Sequence, residues 1–328
     1  MAERSYLVTG GTGFLGSALV RRLVKDGGRV RVLDDDSRGR TSRLDDIRDD
    51  IEFVAGDIRD AEAVSKATKG MDTVCHLAFV NGTEFFYSKP DLVLDVGVRG
   101  MINVLDACME HGVGDFVLAS SSEVYQTPPV TPTDESAPLS IPDPLNPRYS
   151  YAGGKIISEL MAINYGRNNF DRVVIFRPHN VYGPDMGWEH VLPQFVLRMR
   201  GLANATEDPV PFPIQGDGQQ SRSFVFIDDF IDGLKLMIDK GEHLGIYHIG
   251  TQEEVTMGDA AALVAAYFKR EIVLAPGPAP AGGTPRRCPD ISKLRGLGYE
   301  PKVPIRDGLP ILAKWYDDHA DQAPAKES

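Results

Sequence analysis

Tyr151 and Lys155 are the residues whose types and spacing most directly suggest chemistry. They stand four positions apart in the segment Y-S-Y-A-G-G-K of residues 149–155, so on a helix they would share one face. A neighbouring ammonium favours the phenolate. A tyrosine pKa of about 10 must fall by about three units, about 4 kcal/mol, for the phenol to act as a base near neutrality. The same spacing also occurs by chance on half-exposed helix faces, so the pair needs support from the rest of the chain.

A second polar group, Ser120-Ser121-Ser122-Glu123, follows the apolar run at residues 116–119. If that run is a buried parallel strand, its carboxyl end lies where open α/β sheets bind ligands. We therefore predict that the serines face the same crevice as Tyr151 and donate to a substrate oxygen, although serine clusters are also common in turns. Glu123 is either a general base or a solvated carboxylate, and chemistry alone leaves both open.

A glycine-rich segment near the N-terminus predicts a dinucleotide site. Apolar residues 6–9 lead into four glycines and then into an apolar-periodic segment, which is the order of a strand, a loop and a helix. Such a loop lets backbone N–H groups at a helix N-terminus approach a pyrophosphate. The second predicted strand ends at Asp34, at the offset expected for an acid that binds an adenosine ribose hydroxyl. The glycines are Gly10, Gly11, Gly13 and Gly16.

The elements that must position these groups alternate along the chain, which predicts an α/β fold with a parallel sheet covered on both faces. After residue 178 the pattern loosens. We predict a dinucleotide-binding domain at 1–177, a mainly substrate-binding portion at 178–316 and a disordered tail at 317–328. Part of 222–250 is expected to complete the sheet. The predicted strands cover 6–9, 30–33, 51–55, 73–77, 116–119 and 173–176, and the predicted helices cover 15–25, 61–68, 91–110 and 152–168.

Composition narrows the class of protein. The net charge of −12 argues against nucleic acid as a partner, because that binding depends on neutralising phosphates. No apolar run reaches the ~20 residues of a membrane span, and the first strand begins too early for a signal peptide, so a cytoplasmic protein is expected. Three cysteines at irregular spacing fit neither a disulfide framework nor a zinc site, and no metal is predicted. Cys75 and Cys108 stand in apolar surroundings and are predicted to be buried and reduced.

Several motifs together resemble the extended short-chain dehydrogenases/reductases, and more narrowly their NAD-dependent nucleotide-sugar epimerases, dehydratases and decarboxylases. The resemblance runs from about residue 5 to 316. It implies a Rossmann-type doubly wound parallel sheet with a smaller C-terminal substrate-binding portion, and a homodimer formed through helices 91–110 and 152–168. It rests on the glycine loop, Asp57-Ile58, His76-Leu77-Ala78, the serine cluster, the Tyr151/Lys155 pair and R-P-H-N-V-Y-G-P at 177–184.

The resemblance also implies a role for individual residues. Asp34 would bind the ribose and repel a 2′-phosphate, which favours NAD, while Arg38 and Arg40 keep NADP possible. Ser121, Tyr151 and Lys155 would be the catalytic triad, with Glu123 as a further catalytic group. The cofactor would contact Gly10, Gly13, Phe14, Leu15, Gly16, Asp34, Asp57, Ile58, Leu77, Ala78, Tyr151, Lys155 and Val181, and the nucleotide-diphosphate sugar would contact Ser122, Asn180, Arg222 and Arg287.

The implied reaction passes through a transient 4-keto sugar. Tyr151 would remove the proton of the sugar 4-hydroxyl while hydride passes to NAD and later returns, so that the cofactor is recycled. Ser122 replaces the aspartate of deoxythymidine-glucose 4,6-dehydratases, whereas Glu123 matches the glutamate of guanosine-mannose dehydratases and of uridine-glucuronate decarboxylases. The segment R-P-H-N at 177–180 does not resemble the decarboxylase group. An epimerase or dehydratase is therefore predicted, with decarboxylation of a sugar uronate as the alternative. A non-catalytic NAD-sensing protein is the hypothesis from another class.

Overall fold

The computed structural model describes residues 4–278 and 284–324, and its strands follow the apolar runs of the sequence. Every predicted strand overlaps an observed one, with ends that differ by at most two residues. The strands are β1 Ser5–Thr9, β2 Arg29–Asp34, β3 Ile51–Ala55, β4 Thr73–His76, β5 Asp115–Ala119, β6 Arg172–Pro178, β7 Val181–Tyr182, β8 Val210–Gln215, β9 Ser221–Ser223, β10 Val225–Phe226, β11 Gly245–Ile249, β12 Glu254–Thr256, β13 Ile272–Gly277 and β14 Arg286–Arg287.

Helices connect these strands, and three of the four predicted helices are confirmed to within three residues at each end. Short 3-10 segments cover Thr41–Asp50, Ser122–Tyr125 and Ala320–Gln322. The α-helices are α1 Phe14–Lys25, α2 Ala61–Thr68, α3 Thr83–Ser88, α4 Pro90–Leu94, α5 Gly100–His111, α6 Tyr149–Asn169, α7 Val191–Leu202, α8 Ile227–Lys240, α9 Met257–Tyr267, α10 Ser292–Arg295 and α11 Ile305–Asp318.

The main sheet has seven parallel strands in the order β3-β2-β1-β4-β5-β6-β11. Successive residues of one strand point to opposite faces, and each face has its own core. Leu7 belongs to a core that includes residues of α2, α5 and α6, whereas Val8 belongs to a core that includes residues of α1, α8 and α11. This is the doubly wound Rossmann-type sheet that the alternating pattern predicted.

The strand β11 shows that the chain returns to the main sheet after leaving it. It pairs in parallel with β6, from Gly245 beside Val174 to Ile249 beside Pro178. A segment within 222–250 therefore completes the sheet, as the sequence predicted. Smaller sheets join β7 to β10, β8 to β13, and β9 to both β12 and β14.

Two predictions about helices need correction. Residues 91–110 are not one regular helix, because a π-helical turn at Asp95–Arg99 separates α4 from α5. Gly97 in this turn lies against the Phe79 ring, where an added Cβ would stand 2.4 Å from the ring Cζ. The predicted tail at 317–328 is wrong at its start, because α11 continues to Asp318 and buries Leu312 and Tyr316 against the core. Residues 325–328 lie outside the described residues.

Candidate active site

The glycine loop forms a tight turn between β1 and the N-terminus of α1. Gly10 has φ 74°, in the left-handed region, and a Cβ there would lie 2.6 Å from the Ala78 backbone nitrogen. A Cβ on Gly16 would lie 2.0 Å from the Gly10 carbonyl oxygen. The chain can therefore pass this closely only with glycine at both positions. Gly13 is the N-cap of α1, which leaves the first N–H groups of that helix for an anion such as a pyrophosphate.

Asp34, at the end of β2, is a carboxylate fixed in direction. Its Oδ2 accepts from the Thr12 backbone N–H at 2.9 Å, and its Oδ1 accepts from the Asp36 N–H at 3.0 Å. Burial raises the pKa of Asp34, and these hydrogen bonds oppose the rise. One cleft brings most of the predicted cofactor residues together: Gly10, Gly13, Asp34, Asp57, Ile58, Leu77 and Ala78 line it.

The remaining predicted cofactor residues lie near this cleft without lining it. Phe14, Leu15 and Gly16 form the first turn of α1, directly after the glycine turn. Val181 begins β7 and pairs with Val225. The shape of the turn and the fixed carboxylate fit a dinucleotide that extends from the glycines along the carboxyl edge of the sheet.

The arginines that kept NADP possible are both engaged by carboxylates. Arg38 donates to Glu189 at 2.9 Å, and Arg40 forms an ion pair with Asp185. Both guanidiniums thus already have a carboxylate partner, and Asp34 carries charge of the wrong sign for the additional phosphate of NADP. This arrangement favours NAD.

Tyr151 and Lys155 lie in the first turns of α6, both buried. The Tyr151 ring is stacked on Phe86, with ring centroids 4.7 Å apart, and meets Phe79 nearly at right angles at 5.2 Å. Lys155 Nζ donates to the Ala119 carbonyl at 2.7 Å and lies 3.9 Å from the centroid of the Phe79 ring. Burial lowers the pKa of Lys155 to about 7, while the charge of Glu159 opposes this.

The sequence predicted that Lys155 lowers the pKa of Tyr151. Without a bound cofactor, Lys155 does not have this effect. Burial raises the pKa of Tyr151 to about 12; a hydrogen bond with Ser121 lowers it and the charge of Glu123 raises it. The Lys155 ammonium is directed at the Ala119 carbonyl and the Phe79 ring instead of the phenol oxygen. The sequence correctly placed the two side chains on one helix face but could not show this orientation.

The three serines after β5 do not all face one crevice, which corrects the sequence prediction. Ser121 is the N-cap of the 3-10 turn, accepting from the Glu123 N–H at 3.1 Å, and it is the serine that meets Tyr151. Ser122 begins that turn and is buried. Ser120 instead donates to Glu159, beneath the site. Of the serines that follow β5, Ser121 therefore faces the active site and Ser120 faces the protein interior.

Glu123 is held by Arg287, whose Nη1 donates to its Oε1 at 2.5 Å. Burial would raise the pKa of Glu123, but the charge and hydrogen bond of Arg287 outweigh it, so that the pKa is lowered. Arg287 in β14 stands in register beside Arg222 in β9. Burial and the charge of Arg287 lower the pKa of Arg222 to about 10. Two adjacent guanidiniums in partly buried positions form a site that an anion would stabilise.

Asn180 connects this anion site to the main sheet. It lies between β6 and β7 with φ 39°, and its Nδ2 donates to the Ser223 carbonyl at 3.3 Å, at the end of the strand that carries Arg222. The predicted substrate residues Asn180, Arg222 and Arg287 are thus linked through neighbouring strands.

Sequence reasoning missed three functional candidates. Arg148 stands one residue before α6 and acts on Glu123 with its positive charge. Phe79 and Phe86 form the walls around Tyr151. The position of Arg148, three residues before Tyr151, could have indicated the same helix face. The phenylalanines gave no local signal.

In residues 4–278 and 284–324, no group of three or more His, Cys, Asp or Glu side chains is arranged to hold a metal ion. Within the same residues, no helix has both the length and the apolarity needed to cross a bilayer.

A glycine-lined cleft whose wall residue Phe79 contacts a buried tyrosine–lysine pair fits a short-chain dehydrogenase/reductase, and this is the class that the fold and the site define. The chain belongs to the NAD-dependent epimerase/dehydratase family, whose sequence model matches residues 6–250. It is therefore a NAD-dependent enzyme, and the hypothesis of a non-catalytic NAD sensor is not supported.

Individual relatives share both sequence and structure with this chain. UDP-glucuronic acid decarboxylase 1 of Arabidopsis thaliana is 31% identical over 309 residues, which cover 93% of this chain and 68% of the relative. A dTDP-glucose 4,6-dehydratase of Streptomyces antibioticus is 31% identical over 324 residues, covering 95% and 92%. The NAD complex of Thermus thermophilus UDP-glucose 4-epimerase superposes with a TM-score of 0.82 at 28% identity, covering 95% of this chain and 99% of that one.

Proposed function

We propose that this protein is a NAD-dependent nucleotide-sugar epimerase or dehydratase. The observation that carries the proposal is the in-register pair Arg222 and Arg287, which stands beside Glu123, the residue whose charge reaches Tyr151. Two adjacent guanidiniums suit the diphosphate of a nucleotide sugar, because their planar donors match phosphate oxygens. The relatives that act on UDP- and dTDP-linked sugars support this substrate class.

Tyr151 is the proposed base, with Ser121 as its hydrogen-bond partner. When bound, NAD supplies a hydride acceptor and a positive charge close to the phenol. A base at pH 7 requires the Tyr151 pKa to fall from about 12 by about five units, or roughly 7 kcal/mol at 1.36 kcal/mol per unit. Lys155 contributes once its ammonium points toward the reacting groups, and Ser121 orients the sugar hydroxyl.

Glu123 supports the second candidate, decarboxylation of a sugar uronate. Its ion pair with Arg287 keeps the carboxylate charged and places a guanidinium within the same site. A uronate carboxylate could replace Glu123 as the partner of that guanidinium, and an Arabidopsis relative is a UDP-glucuronic acid decarboxylase. We place this candidate second because the same pair also suits a general base for epimerisation or elimination.

The deciding experiment incubates the purified NAD-bound protein with a panel of UDP-, dTDP- and GDP-linked sugars, uronates included, in deuterated water. Mass spectrometry and proton NMR then distinguish the reactions. An isomeric product that has gained deuterium indicates an epimerase that deprotonates carbon, and an isomeric product without deuterium indicates an epimerase that transfers hydride alone. Loss of water indicates a dehydratase, and loss of carbon dioxide indicates a decarboxylase. No turnover of any nucleotide sugar would contradict the proposal.

Variants test the proposed roles in the same assay. Tyr151→Phe is expected to abolish turnover while NAD still binds, because it removes only the hydroxyl. Near-normal turnover would refute the assignment of the base. Glu123→Gln keeps the shape and removes the charge, so unchanged product formation would exclude Glu123 as a base and favour transfer of hydride alone.

A homodimer is the proposed assembly. The solvent sides of α5 and α6 expose Ile102 and Met109 on one helix and Ile157 and Leu160 on the other. Adjacent exposed apolar side chains on two packed helices favour burial against a second copy. Leu160→Asp is expected to give a monomer by light scattering, whereas Ile311→Asp on α11, at a side chain of similar exposure, should leave the dimer intact. A monomeric wild type would contradict this proposal.

The cytoplasm is the proposed location. All three cysteines are free and buried, which fits a reducing compartment. Cell fractionation with a tagged chain tests this directly, and recovery in a secreted or periplasmic fraction would contradict it.

A further inference from the structure

Phe79 occupies a position that the proposed reaction does not by itself explain. It follows Ala78 at the carboxyl end of β4 and lines the same cleft as the predicted cofactor residues. Its ring lies between the two central groups of the site, 3.9 Å from Lys155 Nζ and 5.2 Å from the Tyr151 ring centroid. No other aromatic ring within the described residues lies as close to that ammonium.

Two helices leave space for this ring. A Cβ on Gly97, in the π-helical turn, would stand 2.4 Å from the Phe79 Cζ, and a Cβ on Gly154, in α6, would stand 2.9 Å from the same atom. Neither distance is compatible with a side chain while the ring stays in place. The position of the ring is therefore determined by the backbone of the π turn and of α6, and any side chain larger than hydrogen at either glycine would displace it.

We infer that Phe79 is a positioning residue for catalysis, which holds Lys155 as an ammonium and fixes the Tyr151 ring beside it. The face of an aromatic ring carries negative charge density and attracts a cation, most strongly where water is excluded. The inference rests on the proposed roles of Tyr151 and Lys155.

The other ionisable groups around Lys155 define what can be measured. Glu159 faces it from one turn further along α6 and favours the ammonium. His76 at the end of β4 has its pKa lowered to about 3, first by burial and then by Lys155, so it is neutral near pH 7. Tyr151 has its pKa raised to about 12. In the chain without NAD, Lys155 is thus the group of this set whose pKa lies near neutrality, and a resonance assigned to Lys155 alone distinguishes its titration from that of Tyr151 once NAD is bound.

The test measures the titration of Lys155 directly. The NAD-bound protein is labelled with lysine carrying carbon-13 at Cε, and Lys155→Met identifies the Lys155 resonance. Phe79→Leu keeps an apolar side chain and removes the ring, so the Lys155 pKa should fall by about one unit, the size expected for a desolvated cation–π contact. Gly97→Ala displaces the ring and should also lower the Lys155 pKa.

Phe86→Leu is the matched control, because Phe86 stacks on Tyr151 while Phe79 is the ring over the ammonium. The Phe86→Leu substitution should leave the Lys155 pKa within about 0.3 units of its wild-type value. The alkaline limb of the turnover profile should move down by the same amount as the NMR titration in Phe79→Leu, because activity is lost as Lys155 loses its proton.

An unchanged Lys155 pKa in Phe79→Leu would overturn the inference. A raised pKa would also overturn it, because it would show that the ring acts on Lys155 by excluding water. An equal shift in Phe86→Leu would also overturn it. The NMR titration requires no turnover. If no nucleotide sugar reacts, the proposed function fails while the titration still decides the role of Phe79.

Discussion

The ion pair between Glu159 and Arg177 offers the most quantitative prediction. Glu159 on α6 accepts from Arg177 Nε at 2.8 Å through Oε1 and from Nη2 at 2.6 Å through Oε2. Both side chains are 2% exposed. The pair joins α6 to β6 beneath the site, and Ser120 also donates to Glu159. Glu159→Gln keeps the shape of the side chain and removes its charge, which leaves the buried guanidinium without a counter-ion.

The expected loss of unfolding free energy follows from this geometry. Two unit charges about 4 Å apart attract by about 4 kcal/mol at an effective dielectric constant of 20. Removing one member of a buried pair generally costs about 3–5 kcal/mol. Arg177 keeps two acceptors, the Tyr125 hydroxyl and the Glu135 carbonyl, so the lower end of that range applies. We predict a loss of about 3 kcal/mol.

Urea unfolding followed by circular dichroism measures this loss. The control is Asp239→Asn, which by the same chemical change removes one of the two carboxylate partners of Lys235 on α8 and leaves Asp26. Asp239 is 44% exposed, and surface pairs of this kind contribute about 0.5 kcal/mol or less. A loss below about 1 kcal/mol for Glu159→Gln, or a loss equal to that of the control, would show that the remaining hydrogen-bond acceptors are sufficient to stabilise the buried Arg177 guanidinium. That result would refute the predicted contribution of the ion pair.

Three further predictions follow from single contacts. Gly16→Ala should weaken NAD binding about fivefold or more by calorimetry, since overpacking costs about 1–3 kcal/mol, while Gly201→Ala, with nothing within 4 Å of its added Cβ, should leave it unchanged. Asp60→Ala should cost about 1 kcal/mol in urea unfolding, because Asp60 caps two N–H groups of α2, and an unchanged midpoint would contradict this. Arg287→Met should raise the pKa of Glu123, because burial is then opposed only by the charges of Arg148 and Arg222. If Glu123 is a base, the acid limb of the pH profile of turnover should move to higher pH. An acid limb at the wild-type pH would exclude that role.

Local sequence patterns were sufficient to predict the glycine turn and the position of Asp34 at the end of β2. The glycine turn and Asp34 follow consecutive strands, and each depends on a conformation that a few neighbouring residues decide. Strand positions followed in the same way, because a buried parallel strand requires an apolar run whatever packs on it. The π-helical turn was not predictable, since it depends on a ring from another segment that lies against Gly97.

The chain by itself determined which residue types stand at the carboxyl ends of the strands, because strand periodicity and glycine content are local properties. The tertiary structure decided how those residues are partnered. Ser120 turns inward to Glu159, while Arg222 and Arg287 come together through strand register. The pKa of Tyr151 rises because the surrounding side chains exclude water. The hydrogen-bond partners and the burial of a side chain depend on contacts between segments that are distant in sequence. The spacing of residues along the chain therefore does not predict them.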